Sequence, residues 1–191
     1  GIYYEGSLDL TRPGMFLANL CNLKRHNKSG MKTFPSDWRE ILSIGNRYIH
    51  KSNGEVLPII IDSMKFSSVS HYLLYNKYKG DDKTDSFLYG GVLGTSYVSI
   101  DEGLYEDYSV SPDWESIDDS LKIKKSSICL AKAHCAKYIQ FHEYKLLLFA
   151  TKDTRLIRPV NNNTTTGEYQ IDKELIMVRT LLRNGDDPLF Y

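Results

Sequence analysis

A mainly helical α+β fold is predicted, on three observations. Segments 66–79, 121–141 and 172–183 repeat apolar residues at the three- and four-residue spacing of a helix face. β-Branched residues and one Asn-Gly pair gather between 46 and 61, enough for a small hairpin and no more. The 191 residues are 41% apolar and 25% charged, which suits one domain, residues 1–191, with a real core.

The elements follow in chain order. Ser7 and Asp9 mark a turn before the apolar MFLANL, and residues 23–36 read as a polar, basic loop. Ser36 or Asp37 can accept the first free amides of a short helix through Trp38 and Leu42. Strands are expected near 46–52 and 55–61 around a two-residue Asn53-Gly54 turn, with Pro58 placing the second at an edge. Ser67 or Ser68 opens the helix FSSVSHYLLYNKYK, whose His71, Leu74, Tyr75 and Tyr78 recur on one face. Gly80 stops it. Residues 80–119 read as a surface insertion with one or two strands, dispensable for folding because its many acids resist unpaired burial. In the long helix, Ile128, Ala131, Cys135 and Tyr138 lie near one stripe, and a second helix covers about 143–150. LIRPV suits a strand, and Asp172 and Gly185 bracket the last helix as caps.

Charge and cysteine usage narrow the partners. The net charge is zero, so no global field draws the chain to nucleic acid or membrane. No apolar run approaches the roughly 20 residues that span a bilayer. The opening GIYYEGSLDL lacks the basic-then-apolar profile of a secretory signal. Three cysteines, Cys21, Cys129 and Cys135, form no disulfide framework, and an intracellular location is expected. Lysine and arginine collect in residues 22–51 and acids in 81–119. Each run reads as a solvated face or as a surface for a protein partner.

Most site chemistries find no motif. The glycines of YGGVLG have neither dinucleotide nor P-loop spacing. The Cys and His residues lack the close pairs of a zinc site, so no metal or other cofactor is expected. There is no G-x-S-x-G turn, and the cysteines of the long helix read as core.

Four blocks carry a resemblance. In FSSVSHYLLYNKYK, Phe66, Ser68, His71, Tyr72, Asn76, Lys77 and Tyr78 stand in the order aromatic, Ser/Thr, His, aromatic, Asn-Lys, aromatic. Upstream, GMFLANL holds Leu17 and Asn19; downstream, AKYIQFHEYKLLLFAT holds Lys137, Tyr138, Gln140 and Thr151. IDKELIMVRTLLR supplies Ile171, Leu175, Val178, Arg179 and Leu182. In this order, across most of the chain, the blocks resemble the NADAR (YbiA-like) family. The resemblance implies a YbiA-like helical domain with a small β element, 80–119 being an acidic insertion. It also implies hydrolysis of N-glycosidic bonds in ribosylamino-pyrimidine phosphates or in ADP-ribosylated guanine. By the same resemblance Asn19, Ser70, His71, Asn76, Lys77 and Lys137 line the ligand cleft.

Departures alter the expectation. The glutamate that precedes the family's histidine is Ser70 here, and a hydroxyl cannot stabilise a ribosyl cation as a carboxylate does. The family's Trp-Gly block near the last helix has become NNNTTTGEY, and the nearest Trp ahead of the long helix is Trp114. The first reading is therefore a catalytically degenerate domain that keeps a nucleotide- or ADP-ribose-sized cleft or serves as an interaction module. The second is an active N-glycosidase whose carboxylate is Glu102, Glu143 or Asp172. The third is a structural or assembly protein; the Tyr-, Asn- and Lys-rich composition also fits a viral source. Tyr72 and Tyr75 read equally as core or pocket wall.

Overall fold

The computed structural model describes residues 3–5, 38–50, 52–100, 102–159 and 169–185. The elements are β1 (Tyr3–Glu5), α1 (Trp38–Leu42), β2 (Tyr48–Ile49), β3 (Val56–Leu57), β4 (Ile59–Ile61) and β5 (Met64–Phe66). Then come α2 (Val69–Lys77), α3 (Lys125–Gln140), α4 (His142–Ala150), β6 (Arg155–Pro159), β7 (Tyr169–Ile171) and α5 (Lys173–Asn184). The fold is mixed α+β. Three small antiparallel sheets, β1-β6-β7, β2-β3 and β4-β5, flank the helices.

α3 is the axis. Every residue from Leu130 to Tyr138 is buried except Lys132. Ala131, Cys135 and Tyr138 face a cluster with Leu42, Leu147, Leu148, Leu156, Leu175 and Val178. Leu130, Ala133 and Ala136 face a second cluster with Ile59, Ile61, Phe66, Val69, Tyr72 and Leu73. The single stripe expected from the sequence is thus replaced by burial on two sides, because small Ala and Cys side chains let neighbours approach all round. α2 behaves likewise. Val69 to Leu74 are buried without a break, so the amphipathic reading of this helix is corrected. Ser68 is its N-cap, with the Oγ accepting from the His71 amide. In α5, Asp172 accepts from the Leu175 amide, and Gly185 closes the helix at φ 72°, as the sequence predicts.

The hairpins differ from expectation in a specific way. Tyr48 pairs with Leu57 and Ile49 with Val56; the His50 amide bonds the Glu55 carbonyl, so Asn53-Gly54 closes a longer loop, with Gly54 at φ 72°. The two-residue turn is instead Asp62-Ser63, between paired Ile61 and Met64. Both turn residues have positive φ, 52° and 64°. Pro58 separates β3 from β4 rather than sitting inside one strand. Gln140 covers the open edge of β4: its side chain accepts from the Ile60 amide at 2.8 Å and donates to the Ile60 carbonyl at 2.9 Å. The Tyr48 ring stacks on Phe141 at 4.3 Å, tying the first hairpin to the α3–α4 corner.

Residues 80–119 correct another expectation. Their described part holds two short 3₁₀ turns, Thr84–Phe87 and Glu102–Leu104, and no strand. Acids such as Asp107 and Asp113 are exposed, as expected, and pair with Lys83 and Lys125. Phe87 and Val98, however, are buried with Leu74 and Tyr78 of the α2 end, ringed by Tyr105 and Tyr108. This third cluster makes the segment part of the core. Backbone bonds from Tyr89 to Lys65 and from Ser111 to Lys77 stitch it to β5 and α2.

Candidate functional site

The N-terminal end of α2 and the last turn of α3 both bond the segment at and after the end of α1, and three of the predicted site residues are there. The Lys137 amine, 1% exposed, donates to the Ile41 carbonyl at 2.6 Å and to the Ser43 carbonyl at 2.9 Å. These carbonyls lie at and just past the C-terminal end of α1, where a cation is favoured, and that of Ser43 also accepts from the Asn46 amide at 3.4 Å. One residue on, the Ile44 carbonyl accepts from the Ser70 amide at 2.9 Å. Ser70 is 2% exposed. Burial pulls the Lys137 pKa down to about 7, although the two carbonyls favour its charged form. Its amine also lies 5.4 Å from the Tyr138 ring and 5.5 Å from the Tyr144 ring.

His71 completes the junction. Its Nε2 lies 3.0 Å from the Leu93 carbonyl, which only accepts, so Nε2 carries the proton. Nδ1 then accepts from Ser68 Oγ at 2.8 Å. Burial lowers the His71 pKa most, the Leu93 carbonyl opposes this, and the charge of Arg47 lowers it further. The histidine is neutral and clamps the YGGVLG loop onto α2. Ser67 Oγ adds a bond to the Gly94 carbonyl, and the Arg47 guanidinium bonds the Thr95 carbonyl. A Cβ on Gly94 would meet the Leu88 carbonyl oxygen at 2.1 Å, and one on Gly91 the Asp85 carbonyl oxygen at 2.3 Å. Gly91 and Gly94 of this motif therefore serve close packing, whereas a Cβ on Gly90 would meet nothing within 4 Å.

Asn76 and Lys77 lie at the other end of α2, about 10 Å along the axis from Ser70. Asn76 Nδ2 donates to the Tyr72 carbonyl at 2.8 Å. The Lys77 amine stands 5.5 Å from the Tyr78 ring, half-buried, and among the described residues no carboxylate is in ion-pair range of it. The structure thus gathers Ser70, His71 and Lys137 and leaves Asn76 and Lys77 apart. Asn19 lies outside the described residues. Of the acids named as alternatives, Glu102 belongs to a 3₁₀ turn, Glu143 is exposed on α4, and Asp172 is buried. Trp114 packs half-buried against the second cluster.

Sequence reasoning missed two groups. Asp62 accepts from the Tyr72 hydroxyl at 3.1 Å and pairs with Lys132, fixing the turn between β4 and β5 to α2 and α3. Burial, then Cys129 and Asp62, raise the Tyr72 pKa. Asn46 Oδ1 is buried beside the junction without a partner. Neither has a spacing signal, since both arise from contacts between distant segments. The two described cysteines are poor nucleophiles: burial pushes the Cys135 thiol up to about 11 and raises that of Cys129. Among the described residues no three or more His, Cys, Asp or Glu side chains gather as metal ligands would. None of the described helices is long and apolar enough to cross a membrane. Compared with protein-family models, curated proteins and solved structures, the chain finds no match in any of the three.

Proposed function

We propose that the chain is a ligand-binding domain on an N-glycosidase-like scaffold, hydrolytically silent, with a phosphorylated nucleoside or ADP-ribose as its ligand. One observation carries the reading: the polar groups at the resembling positions spend their hydrogen bonds inside the protein. Lys137 holds α1, His71 holds the glycine loop, and the Ser70 amide holds Ile44. Cleaving an N-glycosidic bond builds positive charge on the ribosyl carbon, and loss of one preorganised electrostatic partner costs on the order of 100- to 1,000-fold in rate. Ser70 supplies no such charge. Lys77 has an amine that acids of the described chain leave unneutralised, and it would meet phosphate as a point charge.

Calorimetric titration with ADP-ribose tests the binding half. The parent should bind, and Lys77→Ala should bind about 10-fold more weakly or worse, the worth of one charge-assisted hydrogen bond. Absence of heat up to millimolar ligand, or equal binding by Lys77→Ala, sinks it. Release of free base from ribosylamino-pyrimidine phosphate and from ADP-ribosylated guanine tests the other half. The parent should release none. Turnover by the parent would make the domain an enzyme and direct attention to Asp172, the buried acid among the three alternatives.

A further inference from the structure

We propose that His134, Arg158 and Asp172 form an interior site for hydroxyl groups, between α3 and the inner face of the β6–β7 pair. Its His134 stands one helical turn before Lys137 of the α2 junction, but the site uses other side chains and does not depend on the reading above.

Strand register brings the three together. Ile157 pairs with Ile171 and Arg158 with Gln170, and the Asp172 amide bonds the Leu156 carbonyl at 2.8 Å. Alternation then puts Leu156, Arg158 and Asp172 on one face. Leu156 is fully buried in one apolar cluster with Ala131, Cys135 and Tyr138, which neighbour His134 on α3. That face therefore looks onto His134. The electrostatics agree: burial is the largest influence on both, lowering the pKa of His134 and raising that of Asp172, while the charges of Lys137 and then Arg158 lower His134 further and that of Arg158 pulls Asp172 down.

Among the described residues four buried atoms of this group have no hydrogen-bond partner: both ring nitrogens of His134, Arg158 Nε and Asp172 Oδ2. His134 and Asp172 are each 0% exposed. Native interiors seldom leave such atoms unpaired, and ordered water or a ligand is the usual partner. The chemistry of the set selects the class. Neutral His134 offers one donor and one acceptor, Arg158 Nε–H a donor and Asp172 Oδ2 an acceptor. A phosphate would meet Asp172 and Glu174, whose carboxylate lies 3.8 Å from Arg158, with like charge; a cation would meet Arg158. A hydroxyl donates and accepts at once and suits the mixture. Since the nitrogens of one imidazole point to opposite sides, at least two hydroxyl oxygens are needed. Ordered water supplies them, and so does the vicinal diol of a sugar.

The test is a crystal structure of the full chain at a resolution that shows water, with NMR of the His134 ring nitrogens. The expected result is oxygen atoms within hydrogen-bond distance of a His134 nitrogen and of Asp172 Oδ2 or Arg158 Nε. His134→Phe should lose them while keeping the stack on Tyr138, now 6.0 Å between centroids. If that variant does not fold, Asp172→Ser keeps an N-cap hydroxyl, removes the Oδ2 acceptor and should lose the oxygen bound there. Soaking with D-ribose distinguishes the sources. Sugar hydroxyls at these positions, with saturable shifts of the ring nitrogens, identify a sugar site; unchanged solvent oxygens identify a hydrated one. A dry interior, or a direct His134–Asp172 bond, overturns the proposal. Loss of ADP-ribose binding in Lys77→Ala leaves it untouched.

Discussion

A buried lysine whose amine rests on two carbonyls, with no carboxylate partner among the described residues, makes stability depend on pH in a definite direction. In the folded chain burial lowers the Lys137 pKa to about 7; unfolded, it returns to its ordinary value of about 10.4. Between these values the unfolded state binds the extra proton, so stability rises with pH across that window and is lowest below about 7. Chemical denaturation of the parent between pH 7 and 9 should show a gain of up to about 2 kcal/mol, and Lys137→Met should abolish that slope. An unchanged slope in the variant would move the cause elsewhere. Ser70 illustrates the same economy of space. At 2% exposure, a glutamate there lacks room and solvation, so Ser70→Glu should lower stability by about 3 kcal/mol or more and should not release base.

At the level of elements, the hairpin of β4 and β5 bears a local cost that the tertiary fold repays. Asp62 and Ser63 both occupy left-handed backbone, at φ 52° and 64°, a region that favours Gly and Asn. Asp62 is held there by the Tyr72 hydroxyl and by Lys132. Ser63 is exposed and has no such tie among the described residues, so the left-handed cost at that position stands uncompensated. Ser63→Gly should therefore stabilise the chain by about 1 kcal/mol, read as a higher midpoint of thermal unfolding. A loss of stability would mean that the Ser63 side chain does more than occupy the turn.

For the whole molecule, the decisive feature is that residues 80–119 complete the core at the far end of α2. Phe87 is 0% exposed, and its ring lies 5.3 Å from Tyr105 and 5.5 Å from Tyr108. Phe87→Ala should cost about 3–5 kcal/mol, within the range for emptying a buried aromatic site. Excision of 80–119 should broaden or abolish cooperative unfolding, since Leu74 and Tyr78 would lose their cover. An excised chain that unfolds as sharply as the parent would restore the insertion reading. The surface pairs Lys83–Asp107 and Lys124–Glu115 are exposed and should matter little, so added salt should leave the midpoint nearly unchanged.

Local chemistry alone determined the helices, the Ser68 and Asp172 caps, the Gly185 stop and the strand at LIRPV, because each rests on residues adjacent in the chain. Charge and turn composition also marked 80–119 as acidic and turn-rich, but the one or two strands expected there are absent from its described part. What tertiary structure decided was the use of those elements. Burial on both sides of α3 depends on sheets and helices distant in sequence. The same is true of Lys137 as the support of α1, His71 as the clamp of a loop 22 residues on, and Phe87 as core. A periodic pattern records which faces are apolar; it does not record which distant carbonyl accepts a buried proton, and that pairing gives these polar side chains their roles.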